Sequence, residues 1–435
     1  MHGDEPTLWI KDPLAILADG ADRGVVLRGG RIVELVPKGR SPTAPNVELF
    51  DAGAHVVLPG LINTHHHFYQ TLTRAVPAAL DRELFPWLQA LYPVWARLTP
   101  EALDLGMTLA MAELILSGCT TTTDHHYVFP AGLEGAVDIE VEAAKRLGLR
   151  VLLTRGSMNR SQRDGGLPPD SVVQDEDTIL ADSARVVSRY HQAGDGAMVQ
   201  IGLAPCSPFS VTTSLMQSTA VLAGRLNVRL HTHLGETEDE NRYCQEVHNC
   251  RPLDYLEDCG WLNDRVWLAH GIHFTASEMA RLAQARTTIC HCPCSNQSLA
   301  SGTCPVCAME EAGVRVGLGV DGSASNDGSN LMQEVRAAFS CSAAATASKE
   351  SVTSMRCAGR RKAPRLAQDE RTLARSPSAR WPISRCSSST SRVFPAAAMR
   401  SRRLFFAAPT TRTTSWWADD GSWRTAKSRD LISAR

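Results

Sequence analysis

From Leu58 to Asp321 the chain alternates between short apolar runs and longer stretches with helical spacing. Eight runs read as strands, at 58–64, 119–125, 150–155, 199–204, 228–233, 266–270, 287–291 and 315–320. Strands buried on both faces give apolar, β-branched runs of this kind, as in Val228-Arg-Leu-His-Thr-His and Val266-Trp-Leu-Ala-His. Between most of them the apolar positions recur at three or four residues, which predicts helices over Pro100–Ser117, Gly135–Leu147, Asp175–Ala193, Ser214–Arg225 and Ser277–Ala285. Thr99 followed by Pro100 is a capping residue before a proline at an early helical position. Eight such units over about 260 residues predict an α/β fold, a (β/α)8 barrel; an open doubly wound sheet is the alternative.

The pattern differs on either side. Residues 1–57 alternate over short segments, Leu8–Ile10, Ala15–Leu17, Gly24–Leu27, Arg31–Leu35, Val47–Phe50 and His55–Leu58, separated by glycines and prolines. This predicts a small β layer, too thin to stand alone. Beyond Phe339 the periodicity fades into an Arg-, Ser- and Ala-rich text in which no strands are legible. The expected division is therefore 1–57, 58–339 and 340–435.

Charge separates the tail from the rest. Residues 340–435 hold 19 Lys+Arg against 6 Asp+Glu, while residues 1–339 hold 26 against 40, so a net charge of -1 conceals opposite halves. Two readings of the tail stand side by side: a basic segment that associates with nucleic acid, and an out-of-frame translation of a GC-rich gene. No apolar run approaches the roughly 18 residues of a membrane span. The N-terminus lacks a basic-then-apolar leader pattern. The 13 cysteines suggest reduced thiols in a cytoplasmic protein.

Chemistry-bearing residues gather at the C-terminal ends of the predicted strands, where barrel enzymes build their sites. In extended chain His65 and His67 point one way and His66 the other. His233 ends the fifth strand and Asp321 follows the eighth. Three imidazoles and a carboxylate suit one Zn²⁺ per chain, with a position left for water. Such an ion lowers the pKa of its water to about 7. Glu236, three residues past His233, is placed to carry a proton, and His270 to polarise substrate or hydroxide. The rival metal motif, Cys290-His-Cys-Pro-Cys294 with Cys304-Pro-Val-Cys307, would make a structural zinc site, although strand alternation places Cys290 and Cys292 on one face and His291 on the other.

Together His65-x-His67, His233-Leu-Gly-Glu236, His270, Asp321-Gly-Ser-Ala-Ser-Asn and Ser295-Asn-Gln-Ser-Leu-Ala-Ser-Gly302 resemble the amidohydrolase superfamily, in its branch of purine, nucleoside and triazine aminohydrolases. The resemblance spans about 1–339. It implies one divalent metal, hydrolytic deamination of a heteroaromatic ring, a small β-sandwich built from both chain ends, and a homo-oligomer. Asn63-Thr-His-His-His-Phe-Tyr-Gln-Thr-Leu-Thr-Arg74 and Ala204-Pro-Cys-Ser-Pro-Phe-Ser210 are most similar to members that convert 8-oxoguanine to urate and ammonia. Trp95 and Cys206 stand where nucleoside deaminases carry a Glu and a His, which implies a free base rather than a nucleoside. Gln70 is expected to read the purine edge, and Trp87 or Trp95 to stack on the ring. The alternatives are a triazine, pterin or other purine aminohydrolase and, from another class, an impaired barrel with a basic nucleic-acid-binding tail.

Overall fold

The computed structural model describes residues 6–194 and 196–345, with three further strands at 385–388, 413–417 and 423–427. The chain divides between Leu61 and Ile62 into two compact units.

The first unit opens with β1 (Thr7–Lys11), β2 (Ala15–Ile16), β3 (Gly24–Arg28), β4 (Arg31–Leu35), β5 (Glu48–Asp51) and β6 (His55–Leu58), close to the six expected segments. Four form a sheet in the order β4-β3-β1-β5, while β2 pairs with β6 in a second sheet. Alternation along β1 sends Leu8 and Ile10 to a core shared with Val25 and Val57, and Trp9 to a separate cluster with Val26 and Val36. Gly24 is required where β3 begins: at φ 99° an added Cβ would sit 1.7 Å from the Ile10 carbonyl oxygen.

The second unit is the barrel. Its strands are β7 (Leu61–Asn63), β8 (Cys119–His126), β9 (Arg150–Ser157), β10 (Val199–Pro205), β11 (Leu230–Leu234), β12 (Val266–His270), β13 (Thr288–His291) and β14 (Val316–Leu318). They lie side by side in sequence order, and every pair from β8 to β14 is parallel. Beside β7 the ring closes through the Thr64 N–H on the Leu318 carbonyl at 2.9 Å and the Asp321 N–H on the His65 carbonyl at 3.1 Å. The expected barrel is present. Its first strand is shorter than read, because Pro59-Gly60 separates β6 from β7.

The five expected helices appear at Pro100–Leu116, Ala136–Leu147, Glu176–Tyr190, Thr213–Leu226 and Ala276–Ala285. Thr99 caps the first, its hydroxyl accepting from the Ala102 N–H at 3.2 Å. A capping box of Thr275 and Glu278 starts the last. A further helix spans Leu84–Trp95 although it contains Pro86 and Pro93; Pro86 falls in its first turn, where no N–H is needed.

Beyond Ser340, where no strand was legible, β15 (Arg385–Ser388) pairs antiparallel with β6, and β16 (Thr413–Trp417) and β17 (Trp423–Lys427) form a hairpin. A strand added to an existing edge needs only its backbone groups, so apolar alternation does not announce it. Apart from 340–345 and these strands, the tail readings fall outside the described residues.

Candidate active site

His65 and His67 lie past the end of β7, in the turn that leads to a short 3-10 helix, Phe68–Thr73. The alternation argued for a strand persists through this turn. His66 faces away, with its Nε2 3.0 Å from the Ser329 hydroxyl, while His65 and His67 turn inward with ring centroids 4.7 Å apart. His233 comes from β11 and Asp321 from the turn after β14. His67 Nε2 and His233 Nε2 are 3.1 Å apart, and Asp321 Oδ1 is 3.3 Å from both His65 Nε2 and His67 Nε2.

These spacings match one tetrahedral ion: bonds of about 2.0–2.1 Å give donor–donor edges of about 3.3 Å. The tautomers agree. His67 donates Nδ1–H to the His125 carbonyl at 2.7 Å, and His233 donates Nδ1–H to the Cys206 carbonyl at 2.6 Å. A carbonyl only accepts, so each Nε2 is left bare. Burial lowers the pKa values of His65, His67 and His233, which keeps them neutral, as ligation requires. Burial opposes the Asp321 anion, yet the carboxyl, facing His65, His270 and His67, is held well below its usual range; with His65 and His67 neutral, His270 is the ring that brings positive charge to it. Ser295 Oγ–H at 2.6 Å and the Gly322 N–H at 2.7 Å also donate to this carboxylate. The donor set fits zinc.

Glu236 is buried beside this centre, and His270 Nε2 lies 3.5 Å from Glu236 Oε2 and 4.0 Å from Asp321 Oδ2. Burial, with some help from the Asp321 charge, pushes the Glu236 carboxyl up to about 7. For His270, burial works against the cation, yet facing Glu236 and Asp321 raises its pKa overall. Asn296 Oδ1, 2.9 Å from His270 Nδ1, orients the ring. Both His270 and Asp321 occupy left-handed backbone, at φ 73° and 63°, a conformation that costs a non-glycine residue roughly 1–2 kcal/mol and clusters at functional sites.

A cavity opens onto the centre. His67, His233, Glu236, His270 and Asp321 line one end, joined by Gln70, Cys206 and Tyr127. Leu84, Trp87, Leu88, Phe209 and Leu299 supply the apolar walls. Of the two tryptophans offered for stacking, Trp87 lines the cavity and Trp95 does not: it lies behind Trp87, centroids 5.5 Å apart, and its indole N–H donates to Thr73 Oγ1 at 3.1 Å.

Other neighbours of the centre have no role assigned from sequence. His125, which the sequence sets at the end of the second strand, stacks on His233 at 4.8 Å and keeps a buried Nδ1 without a hydrogen bond. Tyr127 and Phe209 carried no signal beyond their position just after β8 and β10. A second buried group, Asp124, His126 and Glu140, is more open: His126 Nδ1 and Glu140 Oε1 are 3.9 Å apart, wider than a tetrahedral edge. The rival cysteine motif is not assembled. Cys290 and Cys292 share a face, Sγ to Sγ 3.7 Å, yet among the described residues no cysteine joins a group of three potential ligands.

The amidohydrolase family profile matches residues 56–361. The chain is 59% identical over 334 residues to the 8-oxoguanine deaminase of Pseudomonas aeruginosa, covering 76% of this chain and 74% of that protein. It is 39% identical over 339 residues to hydroxydechloroatrazine ethylaminohydrolase of Pseudomonas sp. strain ADP, covering 75% and 69%. Among solved structures, the atrazine chlorohydrolase of Arthrobacter aurescens TC1 complexed with zinc superposes with a TM-score of 0.70 at 30% identity, over 76% of this chain and 75% of that one. By sequence, fold and the donors at its strand ends, the chain belongs to the amidohydrolase family.

Proposed function

We propose that the protein is a zinc-dependent aminohydrolase of a free purine base, converting 8-oxoguanine to urate and ammonia. The observation that carries this reading is the convergence of His65, His67, His233 and Asp321 with Glu236 and His270 at one end of a flat-walled cavity. The 59% identity to an 8-oxoguanine deaminase supports the choice of base. Bound to the four donors, zinc supplies a Lewis acid that makes hydroxide accessible at neutral pH. Asp321, held ionised, takes the proton of the attacking water and later returns it to the departing ammonia. Glu236, protonated up to about pH 7, donates to the ring nitrogen beside the carbon that bears the amine and regains a proton from the added oxygen as the amine departs. His270 faces both carboxylates and stabilises charge that develops between them.

Gln70 offers donor and acceptor to the purine edge; its Oε1 is buried and lacks a hydrogen-bond partner in the protein. Trp87 is the flat wall. The apolar walls are leucines, Trp87 and Phe209, and Cys206 beside His233 offers only a thiol, so ribose hydroxyls would be buried unpaired, at about 1–3 kcal/mol each. The eleven cysteines whose side chains are described are all free, which supports a reducing, cytoplasmic setting. No helix of the described residues is long and apolar enough to cross a membrane. Homo-oligomeric assembly rests on the family resemblance.

The test is ammonia release by the zinc-loaded full chain from 8-oxoguanine, guanine, their nucleosides, a pterin and an amino-triazine. Expected is the highest kcat/KM for 8-oxoguanine, with nucleosides slower by on the order of 10²-fold or more. Faster turnover of a nucleoside than of its base would reject the free-base reading. A triazine or pterin in first place would move the assignment within the family.

A further inference from the structure

We propose that His231 is a positioning residue that fixes the protonation of His65, and that Trp267 sets both. The argument follows protons along a buried chain. His231 Nδ1 lies 2.8 Å from the Trp267 carbonyl, which only accepts, so the proton of His231 sits on Nδ1. His231 is 1% exposed and wedged between the His65 ring and the Trp267 indole, and among the described residues no carboxylate lies within ion-pair distance of it, so the ring holds the single proton already placed on Nδ1. Its Nε2 is therefore bare. That nitrogen lies 2.8 Å from His65 Nδ1, so the His65 proton sits on Nδ1 and is donated to His231. His65 Nε2 is then a free lone pair, facing Asp321 Oδ1 across 3.3 Å.

Other contacts make the chain rigid. The His231 ring lies flat on the Trp267 indole, centroids 4.4 Å apart and planes 13° apart, which opposes a ring flip. The Trp267 indole N–H donates to the Thr64 carbonyl at 3.0 Å, so the same residue also holds the backbone next to His65. Parallel pairing of β11 and β12 puts His231 directly beside Trp267. His67 and His233 reach carbonyls directly; His65 reaches one only through His231.

This inference rests on the metal reading above, and the experiment separates the two. In the metal-free full chain, ¹⁵N–¹H imidazole spectra should report His65 and His231 both protonated at Nδ1. Zinc affinity, measured by competition with a chromogenic chelator, should fall roughly 10–100-fold in His231→Leu, the usual loss for an outer partner of a ligand. His231→Gln, whose amide offers a donor and an acceptor, should recover most of that loss. His65 protonated at Nε2, wild-type affinity in His231→Leu, or equal weakening in His231→Leu and His231→Gln would overturn the relay. Wild-type protein that binds no zinc would overturn the metal reading along with it.

Discussion

Glu236 shows how one side chain takes its chemistry from its surroundings. At 4% exposure, burial pushes its carboxyl from 4.5 up to about 7. The sign follows from proton binding. The folded state holds this proton over a range where the unfolded chain has lost it, so stability falls as pH rises from about 4.5 to about 7. In the proposed mechanism the proton that Glu236 donates is lost over the upper part of that range, so kcat should decline as pH passes about 7. Glu236→Gln should retain zinc, lose on the order of 10²-fold or more in kcat, and show no such limb in its pH profile. Near-normal turnover in this variant would remove Glu236 from the mechanism. The histidine triplet gives a second contrast: His233→Ala should lose the metal, whereas His66→Ala should keep it, because His66 bonds Ser329 outside the centre. Metal content by atomic absorption decides between them.

At the scale of elements, the site depends on how the first and last strands of the barrel meet. Asn63 joins them, its amide N–H donating to Thr122 Oγ1 at 2.9 Å and its Oδ1 accepting the Val320 N–H at 2.9 Å. Asn63→Ala strands a buried N–H on the turn that carries Asp321. The expected cost is about 2 kcal/mol or more, read as a lower denaturant midpoint with unchanged slope. The same turn places Gly322 against Gln70, where an added Cβ would meet the Gln70 Oε1 at 1.7 Å. Gly322→Ala should therefore push Gln70 off the purine edge, raising KM for the base several-fold while zinc content stays constant. An unchanged KM would separate Gln70 from substrate binding.

At the scale of the whole barrel, the four donors come from chain positions as distant as His65 and Asp321, and one ion would tie the ends of β7, β11 and β14 together. Ligand that binds only the folded state stabilises it by about 2.7 kcal/mol at a hundredfold excess over Kd. Stripping zinc with a chelator should lower Tm by several degrees, and Tm should climb again with added zinc. A Tm indifferent to the metal would argue against a site formed by folding.

Much of this was legible in the chain itself. Apolar runs at regular intervals located all eight strands, because a strand buried on both faces must be apolar throughout. Residue type and position at the strand ends pointed to His65, His67, His233, Glu236, His270 and Asp321, and the fold brings them together, because a barrel delivers those ends to one face. Other features depended on contacts between distant segments. Trp87 and Trp95 lie two turns apart on one helix, and only packing put the first at the cavity and the second behind it. The left-handed backbone at His270 and Asp321 leaves no mark on residue type. The protonation of His65 is set by a carbonyl on β12, some two hundred residues along, through a histidine on β11. Periodicity and composition are local properties, so the sequence by itself determined the strands and the kinds of donor at their ends. Which lone pairs face one another is a matter of distance and orientation, and the tertiary structure alone decided it.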